Sequence, residues 1–461
     1  MYEASRNNFV AIKTPVGLTE HTNLKNIVTQ GGTFGPIECA NSMDKIGQKS
    51  FSEGKNLLLY KKIVRIPPLG YIVDILTMGR CGTASLSLNT FVNTQIETKK
   101  LRFHTPDSHG KSKCHFIHVG DKSRQCPNLQ VHGTKVEKVT SDTYLGDTIS
   151  SDGKHLKTIR ARKAKGFGII TQIMVMLEKI TFGNHYFQTA LLLRESLFLN
   201  SILINSEIWY DVSRAELEHL VNLDKILLRK VLNTPVSTPT ESLYLELGCV
   251  DIETMIKGRR LIYFHYLTKR KKDTMLSRFF MTQWKYPCKG DWTETVKSDL
   301  EEFGIPVDVD FIRSKTVFSF KNLVKKKAKE VAFSKYLGQK ALHSKLANLH
   351  YSSLKLQDYL CVNNFSVTEA RLIFSFRTRM APFKKNYKSL KDTLCPLCSQ
   401  HLDDQNLVFQ CPIIAQQINS EERIENIFSE TISKDLVNAL DKVLQIRNLC
   451  LKERPQVHSS S

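Results

Sequence analysis

The chain has 461 residues, enough for two or three domains of about 150 residues each. Hydrophobic residues make up 41% and charged residues 24%, a composition that can bury a core and excludes a disordered or collagen-like chain. Lysine and arginine number 66 against 45 acidic residues, and the formal net charge of +21 favours a polyanionic partner, nucleic acid before a membrane surface. The eleven cysteines are mostly scattered singly and indicate a reducing compartment, nuclear or cytoplasmic, without a disulfide framework.

Residues 1–150 are predicted to mix strands with short helices. Phe9–Lys13 and Ile63–Ile66 favour strands, and residues 71–76 form an apolar run broken by Asp74. Pro36–Ser50 favours a helix, because apolar residues recur every third position behind a proline suited to the first turn. Alternating apolar residues predict hairpin strands over three later segments: Cys114–Gly120, Leu129–His132 and Lys135–Thr140.

From residue 152 onward the pattern becomes helical and basic. Seven residues approximate one apolar helix face: Leu156, Ile159, Ala164, Phe167, Ile170, Ile173 and Leu177. Ala190–Tyr210 is the most apolar stretch, but the charged residues within it predict a buried helix rather than a membrane span. Trp284–Gly304 contains a proline and two glycines and is predicted to be a linker. Helical patterns then continue to about Asn386 and again from about Glu421 to Leu449.

Several segments, taken in order, resemble the motifs of one family. They are Gln30-Gly31-Gly32, Tyr71-Ile72-Val73-Asp74, Lys113-Cys114-His115 and Tyr144-Leu145-Gly146, followed farther on by Phe376–Met380, Asn386 and Cys395-Pro396-Leu397-Cys398. Each motif alone is weak, but the ordered set resembles the second half of the reverse transcriptase of a non-LTR retrotransposon. The resemblance spans nearly the whole chain.

This resemblance implies an α+β fold, in which an incomplete polymerase palm of mixed strands and helices precedes a mainly α-helical thumb and C-terminal region. It divides the chain into a partial palm (1–150), a thumb-like basic helical region (151–283), a basic helical C-terminal region (284–390), and a Cys-x-x-Cys knuckle remnant with a terminal helix (391–461). The residues implied to contact nucleic acid are Gln30, Gly31, Gly32, Lys113, Tyr144, Leu145, Gly146, Arg160, Arg162, Lys163 and Lys165.

The expectation about polymerase activity depends on Asp74. A polymerase of this kind needs two divalent ions held by carboxylates, one from an early palm strand and others from a later pair of adjacent Asp residues. Here the later pair reads Asp74-Ile75, and residues 1–43 contain no Asp. One carboxylate cannot clamp two Mg²⁺ ions, so Asp74 is predicted to be a vestigial magnesium ligand that binds no ion productively. The alternative is a turn or strand-end carboxylate with no metal role.

The cysteines near the C-terminus have a spacing typical of zinc ligands. Cys395 and Cys398 form a Cys-x-x-Cys turn, and Cys411 follows at a distance suited to a third thiolate. The related elements complete such a set with a histidine, but Leu407 stands at that position. His401 is the nearest substitute, with Asp403 or Asp404 as weaker oxygen ligands. The sequence therefore predicts a Zn²⁺ site or, as the alternative, a decayed knuckle.

Basic runs are distributed along the chain and favour an RNA or DNA partner. Besides Arg160–Lys165, they are Arg259-Arg260, Lys269–Lys272, Lys325–Lys327 and Lys384-Lys385. Lys269–Lys272 also resembles a nuclear-import signal. Nearby aromatic residues favour either base stacking or the core: Tyr263, Phe264, Tyr266, Phe383 and Tyr387.

Two alternatives to a reverse-transcriptase remnant stay open: a non-catalytic nucleic-acid-binding module, and a decayed reading frame without function. The sequence does not specify the oligomeric state.

We expect no polymerase activity from this chain, because its Asp pair is reduced to one carboxylate. Purified chain supplied with Mg²⁺, a primed RNA template and nucleotides should extend the primer no more than an Asp74→Asn variant does. Extension that depends on Asp74 would contradict this expectation.

Overall fold

The computed structural model describes residues 74–78, 82–98, 113–119, 127–361, 365–386, 392–418, 424–429 and 431–453, together with the backbone of short strands between residues 9 and 74. Two compact units divide the chain. The first unit holds residues 1–154 and 272–286, and the second unit holds residues 155–271 and 287–461. The fold is α+β and mainly helical, as predicted. Among the described residues, no helix is both long and apolar enough to cross a membrane.

The strands of the first unit pair two by two. Their bounds are β1 Phe9–Val10, β2 Lys13–Thr14, β3 Gly17–Leu18, β4 Thr22–Asn23, β5 Asn56–Leu59, β6 Lys62–Arg65, β7 Leu69–Tyr71, β8 Asp74–Leu76, β9 His115–Ile117, β10 Gln130–Val131, β11 Thr134–Lys135, β12 Glu137–Val139, β13 Ser141–Tyr144 and β14 Asp147–Ser150. The antiparallel pairs are β1–β4, β2–β3, β5–β6, β7–β8, β10–β11 and β13–β14, whereas β9 and β12 pair in parallel.

The strand predictions are largely confirmed, with one change of pairing. β6 covers most of the predicted strand Ile63–Ile66, while the run Phe9–Lys13 divides into β1 and β2. β9 does not form a hairpin with its successor, because the β10–β11 hairpin occupies the connection and leaves β12 parallel to β9. The helix predicted over Pro36–Ser50 lies outside the described residues.

The helices, in chain order, have the following bounds: α1 Gly82–Thr98, α2 Leu156–Leu177, α3 Gly183–Leu193, α4 Asn200–Ile202, α5 Arg214–Leu232, α6 Thr240–Leu247, α7 Ile252–Lys269, α8 Met275–Lys285, α9 Trp292–Glu302, α10 Val309–Ser314, α11 Val317–Lys340, α12 Asp358–Cys361, α13 Val367–Arg377, α14 Pro412–Gln417 and α15 Lys434–Glu453. A π-helical turn, Arg194–Leu199, joins α3 to α4. Short 3₁₀ helices cover Ser206–Ile208, Ser344–Leu346, Lys384–Asn386, Gln405–Gln410 and Ile424–Phe428. The first unit contains α1 and α8, and the other helices belong to the second unit.

Helix α1 shows how the first unit buries apolar surface. Ala84, Leu88, Val92 and Ile96 recur every four residues, and all four are buried. Because positions four apart lie on one face of a helix, these side chains form a single inward stripe. On another face, Asn89 and Asn93 donate side-chain hydrogen bonds to the Gln130 carbonyl, at 2.7 and 3.0 Å, and so tie α1 to β10.

The predicted buried face of α2 is confirmed in part. Ile159, Ile170, Ile173 and Leu177 are buried, as predicted, whereas Ala164 and Phe167 are exposed and Arg162 and Gly166 are buried. A Cβ placed at Gly166 would lie 2.9 Å from the Leu223 side chain of α5. The two helices therefore approach closely at the glycine, a contact that the apolar pattern of the sequence does not reveal.

The prediction of a linker over Trp284–Gly304 is wrong, because most of this segment forms the helix α9. Asp291 caps the helix by accepting a hydrogen bond from the Glu294 N–H at 2.8 Å. Trp292, Val296 and Leu300 form its buried face at four-residue spacing. The proline and the glycines that suggested a linker flank the helix rather than interrupt it. Likewise, the helical pattern predicted to reach Asn386 is interrupted between α11 and α12.

Ala190–Tyr210 contributes to the second unit's core, as predicted, but not as one helix: it comprises the end of α3, the π-helical turn, α4 and a 3₁₀ turn, and it carries a buried charge. Arg194 Nε donates to Asp224 Oδ1 at 2.7 Å and its Nη2 donates to Asp224 Oδ2 at 2.7 Å. Tyr244 adds a hydrogen bond to the same carboxylate at 3.1 Å. Burial alone lowers the pKa of Arg194, but the neighbouring Asp224 carboxylate raises it well above its ordinary value. The guanidinium therefore stays charged within the core.

We predict that Asp224→Asn lowers the free energy of unfolding by about 3–5 kcal/mol, because it leaves the Arg194 charge buried without its counter-ion. Chemical denaturation measures the effect. Glu330→Gln, which removes an exposed ion pair with Lys327, is the control and should leave the midpoint unchanged. The double variant Arg194→Met/Asp224→Leu should recover most of the loss. An Asp224→Asn variant as stable as the parent would contradict this account.

Candidate metal centre and basic surface

Cys395 and Cys398 lie on a tight turn of the second unit. Leu394 and Leu402 form an antiparallel bridge at its base, where the Cys395 N–H donates to the His401 carbonyl at 2.7 Å. At the tip, the Ser399 N–H donates to the Cys395 carbonyl at 2.9 Å. Ser399 adopts φ = +55°, a left-handed conformation that reverses the chain directly after the second cysteine. Both thiols therefore face the same side of the turn.

Cys411 completes a cluster of three thiols. The sulfurs of Cys395, Cys398 and Cys411 all lie within 4.8 Å of one another, and the Sγ atoms of Cys395 and Cys411 are 3.9 Å apart. Thiolates around a tetrahedral Zn²⁺ at about 2.3 Å each would be separated by about 3.8 Å. The observed separation matches that edge, and it is far too long for a disulfide bond, about 2.05 Å. All three cysteines are free thiols.

Backbone N–H groups point at two of these sulfurs, but only Cys398 has a pKa below the ordinary value of a thiol. Desolvation raises the pKa of Cys398, but N–H groups of Gln400 and His401 donate to its sulfur, and the net pKa lies below the ordinary value. Burial raises the pKa of Cys411 to about 11, although the N–H groups of Ile414 and Ile413 oppose it. Backbone N–H groups aimed at cysteine sulfur stabilise negative charge. The positive charge of a bound cation would stabilise the thiolate of the buried Cys411.

The predicted oxygen ligands are already in use. Arg447 Nη2 donates to Asp403 Oδ2 at 2.9 Å, and both groups are buried. Asp404 pairs with Lys385 at 2.9 Å and accepts a hydrogen bond from the Asn406 N–H at 3.0 Å. Neither carboxylate is therefore free to bind a metal.

His401 and Leu407 lie beside the thiols without joining them. Among the described residues, the one group with metal-binding geometry contains the three cysteines alone, so the His401 ring is not part of it. His401, Leu407, Cys395 and Cys411 do share the lining of a cavity of about 10 Å³, which holds no more than one water-sized sphere. The arrangement thus offers three thiolates and a small space next to them, which suits Zn²⁺ with a fourth ligand from solvent.

The residues implied to contact nucleic acid are distributed unevenly over the structure. Gln30, Gly31 and Gly32 lie outside the described residues. Asp74 is the first residue of β8, where it pairs with Tyr71 across the β7–β8 hairpin. Lys113 is exposed and precedes β9.

Tyr144-Leu145-Gly146 forms the tip of the β13–β14 hairpin. Tyr144 pairs with Asp147, and Leu145 and Gly146 have φ of +49° and +83°, as in a two-residue type I′ turn. A left-handed leucine is uncommon and costs of order 1 kcal/mol. Leu145 is also 44% exposed, so the hairpin presents an apolar side chain to solvent at its tip.

Helix α2 separates its basic residues into two groups. Lys157, Arg160 and Lys165 are exposed, and Lys163 is half-buried. Arg162 instead lies on the buried face at 8% exposure. Of the four predicted residues, three therefore remain accessible to a phosphate. No acidic residue occupies the first turn of α2, so the partial positive charge of the helix N-terminus adds to these cations.

The C-terminal residues that resemble the family motif make buried hydrogen bonds in this fold. Arg377, at 3% exposure, donates through Nε to Glu246 Oε1 at 3.0 Å, and Asn386 donates to the Ala381 carbonyl at 2.8 Å. The N–H groups around Cys398 and Cys411 are the functional groups that sequence reasoning missed. The sequence cannot reveal these N–H groups, because every residue other than proline has a backbone N–H.

No family model and no curated protein matches the chain. The family resemblance therefore rests on the motifs of the sequence.

We predict that the purified chain binds one equivalent of Zn²⁺ through the three thiols. With Co²⁺ as a spectroscopic substitute, sulfur-to-metal charge-transfer bands should appear, weaken as the pH falls because thiols must lose protons to bind, and vanish in Cys395→Ser. Cys288→Ser, which removes an exposed cysteine outside the cluster, is the matched control.

A second variant tests the position of the fourth ligand. Because Leu407 lines the cavity beside Cys395 and Cys411, Leu407→His should place an imidazole next to the metal and tighten Zn²⁺ binding. Unchanged spectra in Cys395→Ser would rule out the thiol centre.

Proposed function

We propose that this chain is a nucleic-acid-binding protein related to the reverse transcriptases of non-LTR retrotransposons, and that it has no polymerase activity. The observation that carries the binding proposal is the set of accessible cations on α2. Arg160 and Lys165 are exposed and Lys163 is half-buried, and they lie on both sides of the stripe of this 22-residue helix that packs into the core. Among the described residues, none of these three cations has an ion-pair partner, so their charges are available to phosphates.

The motif order supports the assignment of regions. In this proposal the first unit corresponds to the remaining part of a palm, and α2 begins a thumb. The β13–β14 hairpin takes the place of the hairpin that grips the primer, directly before α2 in the chain. The domain boundaries predicted from the sequence belong to the same proposal.

The absence of polymerase activity rests on the metal-binding chemistry. A two-metal mechanism needs several carboxylates around the ions. Asp74 begins β8 and its successor is Ile75, so the later pair supplies one carboxylate instead of two. Asp74 is accordingly proposed as a vestigial ligand, without productive Mg²⁺.

The thiol centre is proposed to stabilise the C-terminal region of the second unit. Zn²⁺ on Cys395, Cys398 and Cys411 would hold the Cys-x-x-Cys turn against the start of α14. Metal binding to these thiolates would contribute its binding energy to folding. The nucleic-acid function needs the metal only through the stability of this region.

We expect the chain to bind RNA or DNA with an affinity that falls steeply with salt. In fluorescence anisotropy with a labelled duplex, the triple variant Arg160→Gln/Lys163→Gln/Lys165→Gln should bind at least about tenfold more weakly. Its slope of log K against log salt should be smaller by about 2–3, since each lost phosphate contact removes about 0.9.

A charge-matched triple variant controls for the general effect of net charge. Lys289→Gln/Lys355→Gln/Lys442→Gln removes the same three charges from exposed positions elsewhere. If both triple variants lose the same affinity for nucleic acid, the cations of α2 have no special role in binding. Salt-independent binding by the parent chain would contradict the proposal itself.

A further inference from the structure

The three thiols of the candidate metal centre differ in their access to solvent. Cys395 and Cys411 are buried, at 5% and 2% exposure, whereas Cys398 is half-buried. The cavity beside Cys395 and Cys411 has a volume of about 10 Å³ and holds no more than one water-sized sphere, and Cys398 does not line it. A reagent larger than water therefore reaches the cluster through Cys398.

The accessible sulfur has two neighbours close enough to react with it. The Sγ atoms of Cys395 and Cys411 both lie within 4.8 Å of the Cys398 sulfur. A disulfide bond has a length of about 2.05 Å, so its closure needs a shift of less than about 3 Å. A change of side-chain rotamer displaces a cysteine sulfur on this scale.

The cluster is distinct from the other cysteines of the chain. In the described part of the chain, it is the one place where three thiols converge. Cys288 is exposed but lies outside the cluster. The sequence predicts a reducing compartment, and disulfides in such a compartment form transiently and are reduced again by cellular thiols.

We propose that Cys398 is a site of oxidation by hydrogen peroxide, and that the product is a disulfide between Cys398 and one of its two neighbours, Cys395 or Cys411. The proposal rests on the thiol centre proposed above and concerns its regulation. The exposure of Cys398 makes it the first sulfur to meet peroxide. The two buried thiols supply the second half of the bond.

The reaction has two steps. In the first step, the Cys398 sulfur attacks one oxygen of the peroxide. A sulfur–oxygen bond forms, the oxygen–oxygen bond breaks, and the leaving hydroxide takes the thiol proton as water. In the second step, the sulfur of Cys395 or Cys411 attacks the sulfenic acid of Cys398. The disulfide forms, the sulfur–oxygen bond breaks, and a second water leaves. Two thiols thereby give two electrons to one peroxide.

The disulfide and a bound metal exclude each other. Zn²⁺ binds deprotonated thiols, and a disulfide through Cys398 leaves one of the three thiolates of the centre. Oxidation therefore removes the metal-binding capacity of the Cys-x-x-Cys turn, and reduction restores it.

Counting the free thiols tests the proposal. The metal-free, reduced chain is treated with hydrogen peroxide, then with N-ethylmaleimide and trypsin. Because no Lys or Arg lies between residues 392 and 422, all three cysteines remain on one peptide, residues 392–423. We expect this peptide to take up one N-ethylmaleimide instead of three, and three again after treatment with dithiothreitol.

Substitutions identify the sulfur that reacts first. Cys398→Ser should form a disulfide at least about tenfold more slowly, because peroxide reaches the buried Cys395 and Cys411 poorly. Cys288→Ser is the matched control and should leave the rate unchanged. The double variant Cys395→Ser/Cys411→Ser has no partner thiol at the centre, so peroxide should leave a sulfenic acid at Cys398 that dimedone labels.

Two results would overturn the proposal: three alkylated thiols after peroxide, and a Cys398→Ser variant that forms the disulfide as fast as the parent. Sulfur-to-Co²⁺ bands together with three alkylated thiols would keep the metal centre and remove its regulation by oxidation. Disulfide formation in a chain without these bands would support the oxidation of Cys398 and contradict the metal centre.

Discussion

The second unit depends on arginines that are buried opposite carboxylates. Among the residues that the structure describes, four such pairs lie in its interior: Arg194–Asp224, Arg260–Asp299, Arg377–Glu246 and Arg447–Asp403. Each pair joins helices or loops that are distant in sequence, by 30 to 131 residues. A buried charge without its partner costs several kcal/mol, so the helices are held in the one arrangement that brings every guanidinium to its carboxylate. A core held by apolar contacts alone tolerates more rearrangement of its side chains than a core that contains buried ion pairs.

One of these pairs connects the terminal helix to the thiol centre. Arg447 of α15 holds Asp403, which follows the Cys-x-x-Cys turn by five residues, and it also donates to the Pro382 carbonyl at 3.0 Å. Because Asp403 is neutralised by arginine, it is withdrawn from the metal, and the cysteines remain as the available ligands. The electrostatics of the core thus determine which residues can bind a cation. The same anchoring of inward faces leaves the cations of α2 and α11 directed to solvent.

The predictions succeeded where a local pattern determines the outcome. The strand at Ile63–Ile66 and the buried character of Ala190–Tyr210 follow from residue type and periodicity. The three cysteines were identified from spacing alone, since a Cys-x-x-Cys turn is a local geometry. The failures come from contacts between distant segments. α2 packs closely on α5 at Gly166 while Phe167 is exposed, and the cap at Asp291 begins a helix among residues that favour a linker.

The sequence by itself determined the basic character of the chain, the order of the motif-like segments, the single carboxylate of Asp74-Ile75 and the three possible thiolate ligands. These are properties of residue identity and spacing, so no fold is needed to recognise them. Only the tertiary structure decided that Asp403 and Asp404 are engaged in ion pairs and that Arg162 is buried. Each of these facts depends on contacts between helices that are remote from each other in the chain. The energies of such contacts cannot be derived from a short stretch of sequence.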